Sequence, residues 1–270
     1  MSSLPGSNIG GMSNRADVLR ELNLYPLWQL RGRPAVTSVP EAAEKTQEET
    51  ASITRPLLEH AGSTENTEVG TEHLNWPQLK KRVTDCTACE LRSGCIQTVF
   101  GTGDKDAEWL FVGSWPSEDD EAKGEPFAGQ AGQLLDNMLK AIGLKRGEKV
   151  YLANLVKCSG SIKQGPQKIE IDRCLPYLIR QIQLIQPRII VVLGHAAATA
   201  MLGVDSEWNS LLGKVHEFRN FSKDATSGSI PLIITHHPAA LLLAPANKAQ
   251  AWRDLCLARD TMQQLCMPGK

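Results

Sequence analysis

The chain has 270 residues, 41% of them apolar and 22% charged, which suits a soluble protein with a sizeable buried core and one or two domains. A formal net charge of −1 excludes a uniformly basic, nucleic-acid-coating surface and leaves room for a local groove. The longest apolar runs, Ile189 to Leu193 and Ala239 to Ala244, fall far short of a membrane span, and the Gly/Ser-rich start has no basic-then-apolar leader, so the expected location is the cytoplasm.

Charge divides unevenly along the chain. Residues 1–40 carry +2, residues 41–72 carry −6, and the remainder carries +3. Within residues 1–34, Val18, Leu19 and Leu22 fall on one side of a short helix that Pro26 ends, and Leu24, Leu27, Trp28 and Leu30 follow, flanked by Arg31 and Arg33. So short a helix is marginal alone. It either packs back on its own domain or acts as a tethered peptide whose Trp and Leu side chains fill pockets on a partner. Residues 35–72 are rich in Glu, Thr and Ser and lack the apolar area to offset their ordering entropy, which predicts a disordered acidic linker.

From residue 73 to 270 the texture is that of one α/β domain. The runs Trp109–Val112, Val150–Val156, Ile189–Leu193 and Leu232–Ile234 are short, β-rich and not alternating, as strands buried on both faces of a parallel sheet read. Helical stretches separate them: Gly132–Ile142, with Leu134, Leu135, Met138 and Leu139 on one face, then Ile169–Ile185, Ala196–Leu202 and Lys248–Gln264. The expected fold is a three-layer α/β/α arrangement around a central four-stranded parallel sheet, with right-handed crossovers.

In such a sheet the ligand crevice lies beyond the carboxyl ends of the strands. Gly113-Ser114-Trp115-Pro116, Asn154, Gly194-His195 and His236-His237-Pro238 all fall at such ends. Cysteines give a second signal. Seven of them without signs of export favour metal ligation over disulfides. Cys86 and Cys89 form a C-x2-C pair, Cys158 follows the second strand, and Cys174 lies in a helix. Four such thiolates suit Zn²⁺ or an iron–sulfur cluster, and spacing does not choose between them. Cys95 is left over, and Cys256 and Cys266 read as small buried hydrophobes near the last helix.

The stretch from Cys86 to the C-terminal helix resembles the family-4 uracil-DNA glycosylases. The resemblance rests on Gly124-Glu-Pro-Phe-Ala-Gly-Gln-Ala-Gly-Gln-Leu-Leu, Asn154-Leu-Val-Lys-Cys, Cys174-Leu-Pro-Tyr-Leu, His237-Pro-Ala-Ala-Leu-Leu and the cysteine spacing. It implies a [4Fe–4S] cluster on Cys86, Cys89, Cys158 and Cys174, with zinc the lesser alternative. It also implies a flipped uracil stacked on Phe127, read by the Asn154 amide, and stabilised as an anion by His237 with backbone N–H groups near Gly113 and Gly129.

The departures are as informative. Where the family has Gly-Glu-Ala-Pro-Gly, this chain has Gly113-Ser114-Trp115-Pro116-Ser117. Ser114 cannot serve as a carboxylate base, and loss of a general base costs about 10²–10⁴ in rate. Trp115 is placed to fill the pocket. Leu243, Ser159-Gly160-Ser161 and Lys163-Gln164 stand where the family carries arginines, which removes expected phosphate contacts.

Leu19-Arg-Glu-Leu-Asn-Leu, Trp28-Gln-Leu-Arg and Arg33-Pro34 resemble the N-terminal peptide of the psi subunit of bacterial DNA polymerase III. In that family the peptide docks on clamp-loader ATPase subunits and the globular part binds the chi subunit. Together the resemblances imply a nucleoid-associated replisome adaptor. Its peptide (Leu19, Leu22, Leu24, Trp28, Leu30) would bind the clamp loader, and its glycosylase-like domain would bind single-stranded or uracil-containing DNA weakly, with reduced or lost excision. The alternative they imply is a working uracil-DNA glycosylase.

Overall fold

The computed structural model describes residues 70–159, 165–204, 206–219 and 229–267. The peptide residues Leu19, Leu22, Leu24, Trp28 and Leu30, and nearly all of the acidic stretch, lie outside that set. The described residues begin slightly before the expected domain boundary, with a 3-10 turn at Thr71–His73. Helix α1 (Trp76–Thr84) follows, its start closed by a capping box in which Asn75 and Gln78 each accept the other's backbone N–H.

Four strands expected from the sequence form the centre of the sheet: β2 (Trp109–Gly113), β3 (Val150–Asn154), β4 (Ile189–Leu193) and β6 (Ile230–Thr235). They are parallel, in spatial order β3-β2-β4-β6. The sheet nevertheless has six strands and is mixed. Short β1 (Thr102–Gly103) pairs antiparallel with β3, and β5 (Val215–Phe218) pairs antiparallel with β6. Both edges escape a reading based on apolar runs. One is two residues long, and in the other Phe218 is buried while Val215 is exposed. Short, partly polar edges also discourage pairing with another chain.

Successive residues of each central strand face opposite layers. Leu110, Val112, Ile190 and Val192 pack against α4 (Lys168–Ile185) and α5 (His195–Leu202), through Leu178, Ile182 and Ala197. Trp109, Phe111, Ile189 and Val191 pack against α3 (Gln130–Ala141) and α8 (Lys248–Cys266), through Leu135, Leu139, Leu255 and Ala258. This two-sided burial is why the strands read as continuous apolar runs, at about 1.5–3 kcal/mol for each fully buried Leu or Ile. Short helices α2 (Glu118–Lys123), α6 (Trp208–Leu211) and α7 (Pro238–Leu243) sit between the larger elements. Among the described residues no helix is long and apolar enough to cross a membrane. The chain order reverses about β2, with β3 on one side and β4 on the other, so the crevice opens at the ends of β2 and β4.

Candidate active site and cysteine cavity

Strand register builds the first part of the site by pairing Gly113, the last residue of β2, with Asn154, the last of β3. Gly113 must be bare. A Cβ there would collide with Asn154 Oδ1 and lie 2.7 Å from Phe127 Cζ. The Asn154 side chain is 1% exposed, and neither Oδ1 nor Nδ2 has a hydrogen-bond partner among the described residues. Each orphaned group costs about 1–3 kcal/mol, so capping of a sheet edge does not account for it.

Phe127 closes the same space from the α2–α3 connection. It is buried and adopts φ +59°, a left-handed conformation that strains a bulky residue by about 1–3 kcal/mol. Its neighbours hold it there. The Arg146 guanidinium donates to Pro126 O and Phe127 O, both at 3.0 Å, while its Nε pairs with Asp136 at 2.9 Å. Gly132 lets the Phe127 carbonyl approach α3, because any Cβ there would overlap it. Arg146 could not be found from sequence, since only tertiary packing brings it to residues 19 and 20 positions earlier.

His237 arrives from the end of β6 and caps α7. Its Nδ1 accepts the Ala239 N–H at 3.2 Å, which leaves the proton on Nε2. Its ring lies 5.7 Å from that of Phe127, tilted by 33°. Burial lowers its pKa to about 4 against an opposing pull from Asp120, so the imidazole is neutral near pH 7. Gly194 keeps the floor open, since a Cβ there would sit 3.2 Å from His237 Cβ and 3.8 Å from Ser114 Oγ. Ser114 is therefore in the crevice and buried, with a hydroxyl in place of an ionisable group.

Two expectations change. The Trp115 indole packs with Leu91, Cys95, Val156 and Cys158, on the side of the cysteines, and does not fill the space between Phe127 and Asn154. Gly129 caps the start of α3, but the Asp119 carboxylate stands against it. Negative charge already occupies that helix start, which opposes a developing anion there. The neighbouring Asp120 is also engaged, accepting Ala128 N–H at 2.6 Å and Ser117 N–H at 3.1 Å.

The four singled-out cysteines come together although up to 88 positions separate them in the chain. Cys86, Cys89, Cys158 and Cys174 line one cavity with Val83, Lys157 and Tyr177, partly open to solvent. The Tyr177 hydroxyl lies 3.4 Å from Cys86 Sγ. Burial, chiefly, raises the thiols of Cys89, Cys158 and Cys174, that of Cys174 to about 11, and their mutual proximity adds to each rise. Among the described residues no three His, Cys, Asp or Glu side chains gather closely enough to hold a single metal ion. Cys95 is buried in the same apolar group beside Cys158, Cys256 is half-buried, and Cys266 is exposed, so Cys266 is no buried hydrophobe.

The model of the uracil DNA glycosylase superfamily matches residues 100–257, more than half of the chain and all four central strands. The chain belongs to that superfamily. A type-4 uracil-DNA glycosylase from Archaeoglobus fulgidus is 38% identical over 171 residues, covering 62% of this chain and 83% of the relative. Those of Pyrobaculum aerophilum (33% over 184 residues, 68% and 93%) and Thermotoga maritima (35% over 170 residues, 63% and 84%) carry the same name. The superfamily match leaves the N-terminal segment out, so the glycosylase domain is the part these likenesses describe.

Proposed function

We propose that the protein hydrolyses the N-glycosidic bond of uracil in DNA, with a catalytic step slowed by the loss of its carboxylate. The observation that carries this reading is the Asn154 amide, buried with a donor and an acceptor both unpartnered beside an aromatic ring held under strain. Uracil offers the complement, an N3–H to give and a carbonyl oxygen to receive. Cytosine presents no N–H at that position and is refused, because the buried amide would stay unpaired.

In this reading the base leaves the stack at a cost of a few kcal/mol and slides against Phe127. His237, neutral and with its proton on Nε2, donates to the uracil oxygen where charge collects as the bond breaks, which avoids a proton transfer. Ser114 can orient a water but not deprotonate it, so turnover falls by about 10²–10⁴ relative to a site with a base. The thiol lining of the cavity suits a thiolate-held centre, and the likeness to the family-4 enzymes favours a [4Fe–4S] cluster on Cys86, Cys89, Cys158 and Cys174 over zinc. When bound, the cluster supplies a structural cross-link between the Cys86–Cys89 turn, the end of β3 and α4.

The adaptor reading rests on the resemblance of Leu19, Leu22, Leu24, Trp28 and Leu30 to a psi peptide and on the replacement of the family's glutamate and arginines at positions such as Ser114 and Leu243. The likeness to type-4 enzymes favours the glycosylase instead, so clamp-loader and chi partners find no support beyond that segment. The test is a uracil-containing single-stranded oligonucleotide, incubated and then cleaved with alkali. Strand breaks that disappear in His237→Ala and increase in Ser114→Glu are expected. Wild-type protein that leaves the strand intact, with Ser114→Glu equally inert, overturns the reading.

A further inference from the structure

The cysteine cavity and the base-reading amide share one side chain. Lys157 is 1% exposed, and its Nζ donates to the Asn154 carbonyl at 2.7 Å and to Gln181 Oε1 at 2.7 Å. Gln181 is itself fixed, giving its Nε2 proton to Phe100 O at 2.9 Å. Lys157 also lines the cavity with Cys86, Cys89, Cys158 and Cys174. An ammonium has three protons, and the two named acceptors leave one for the cavity.

Two further cations line that wall, both less buried than Lys157. Arg92 donates to Cys95 O at 2.8 Å, and Arg173 donates to Ala88 O. A buried ammonium needs a compensating anion, because desolvating an unpaired charge costs several kcal/mol. Four thiolates around one centre carry negative charge that a buried ammonium can offset, so the lysine and the thiolate set answer each other's need.

We infer that Lys157 is a positioning residue that couples the four-thiolate centre to uracil reading, by spanning the cavity wall and the Asn154 backbone with one buried ammonium. This rests on the proposed function for its uracil half and on the cysteine set for the other. If the centre's negative charge is lost, the ammonium loses its counter-charge, the Asn154 carbonyl loses a firm donor, and the amide drifts from its reading position. Asn154 and Cys158 stand only four positions apart along the chain, so a shift at one end reaches the other through a single turn.

The experiment uses the full-length protein purified without oxygen, as wild type, Lys157→Met and Gln181→Met. Two quantities are read: decay of the absorbance near about 400 nm in excess chelator, and kcat and KM on the uracil oligonucleotide. Groups that hold a metal centre's ligands in place typically move metal affinity or activity by about 10–100-fold, and Lys157→Met should speed the decay and lower kcat within that range, with KM little changed. Gln181→Met keeps the ammonium and removes one anchor, so both effects should appear in smaller measure, and it decides alone if Lys157→Met is insoluble. A fall in kcat without faster decay, or faster decay with normal kcat, overturns the coupling. If wild type and Ser114→Glu both prove inactive, the proposed function fails separately. The coupling is then read as slower decay when a uracil oligonucleotide binds wild type, an effect that must vanish in Lys157→Met, and equal protection of both overturns it.

Discussion

Replacing Asn154 by leucine should make the protein more stable and useless as a uracil reader. The amide is 1% exposed, and both of its polar atoms lack partners among the described residues. Leucine is of similar size and removes both orphans, which returns about 1–3 kcal/mol even after some steric adjustment beside Gly113 and Phe127. For a domain of this size that is a rise in Tm of about 2–4 °C per kcal/mol, hence a few degrees to about ten. The same change deletes the hydrogen bonds that discriminate the base, and sites built this way lose about 10⁴-fold or more when the pairing is absent. Thermal melts followed by circular dichroism, run beside the alkali-cleavage assay, check both halves. A variant that melts below wild type while still excising uracil would refute the claim that the amide is kept for a ligand at the expense of stability.

Four further outcomes follow from the geometry. Arg146→Met frees the carbonyls of Pro126 and Phe127 and lets Phe127 relax from its strained backbone, so kcat/KM should fall about 10-fold with little change in Tm, as steady-state kinetics will show. The acid limb of the kcat profile should lie near pH 4–5, without a step at the ordinary histidine value, because burial holds His237 neutral. Stability follows with a definite sign: the unfolded chain takes up a proton at His237 as pH drops below about 6.5 while the folded chain refuses it until about 4, so this residue's effect lowers Tm across that window and is absent above it. Finally, Cys158→Ser should abolish visible colour and iron content and lower Tm, whereas Cys266→Ser, on the exposed end of α8, should leave both unchanged in iron analysis and thermal melts.

Much of this was legible along the chain, for reasons tied to particular residues. Strands β2, β3, β4 and β6 announced themselves because burial on both faces forces uninterrupted apolar runs, and helix α3 did so because Leu135 and Leu139 recur at helical spacing. The four cysteines were separable from the spare three by spacing and resemblance, and the cavity gathers the same four. Edge strands β1 and β5 were not legible, since two residues or four half-exposed ones leave no periodic trace.

Local pattern therefore determined which segments become strands and helices, and which residue types stand at the strand ends. Only the tertiary structure decided what those residues do to one another. Trp115 turns towards the cysteines, Asp119 occupies the start of α3, Arg146 holds Phe127 in a strained backbone, and Lys157 reaches from the thiols to Asn154. Each of these depends on contacts between elements distant in sequence or on a side chain's direction, and periodicity carries information about neither. Secondary structure follows from nearest-neighbour chemistry, while a site is a meeting of strangers set by strand order and register.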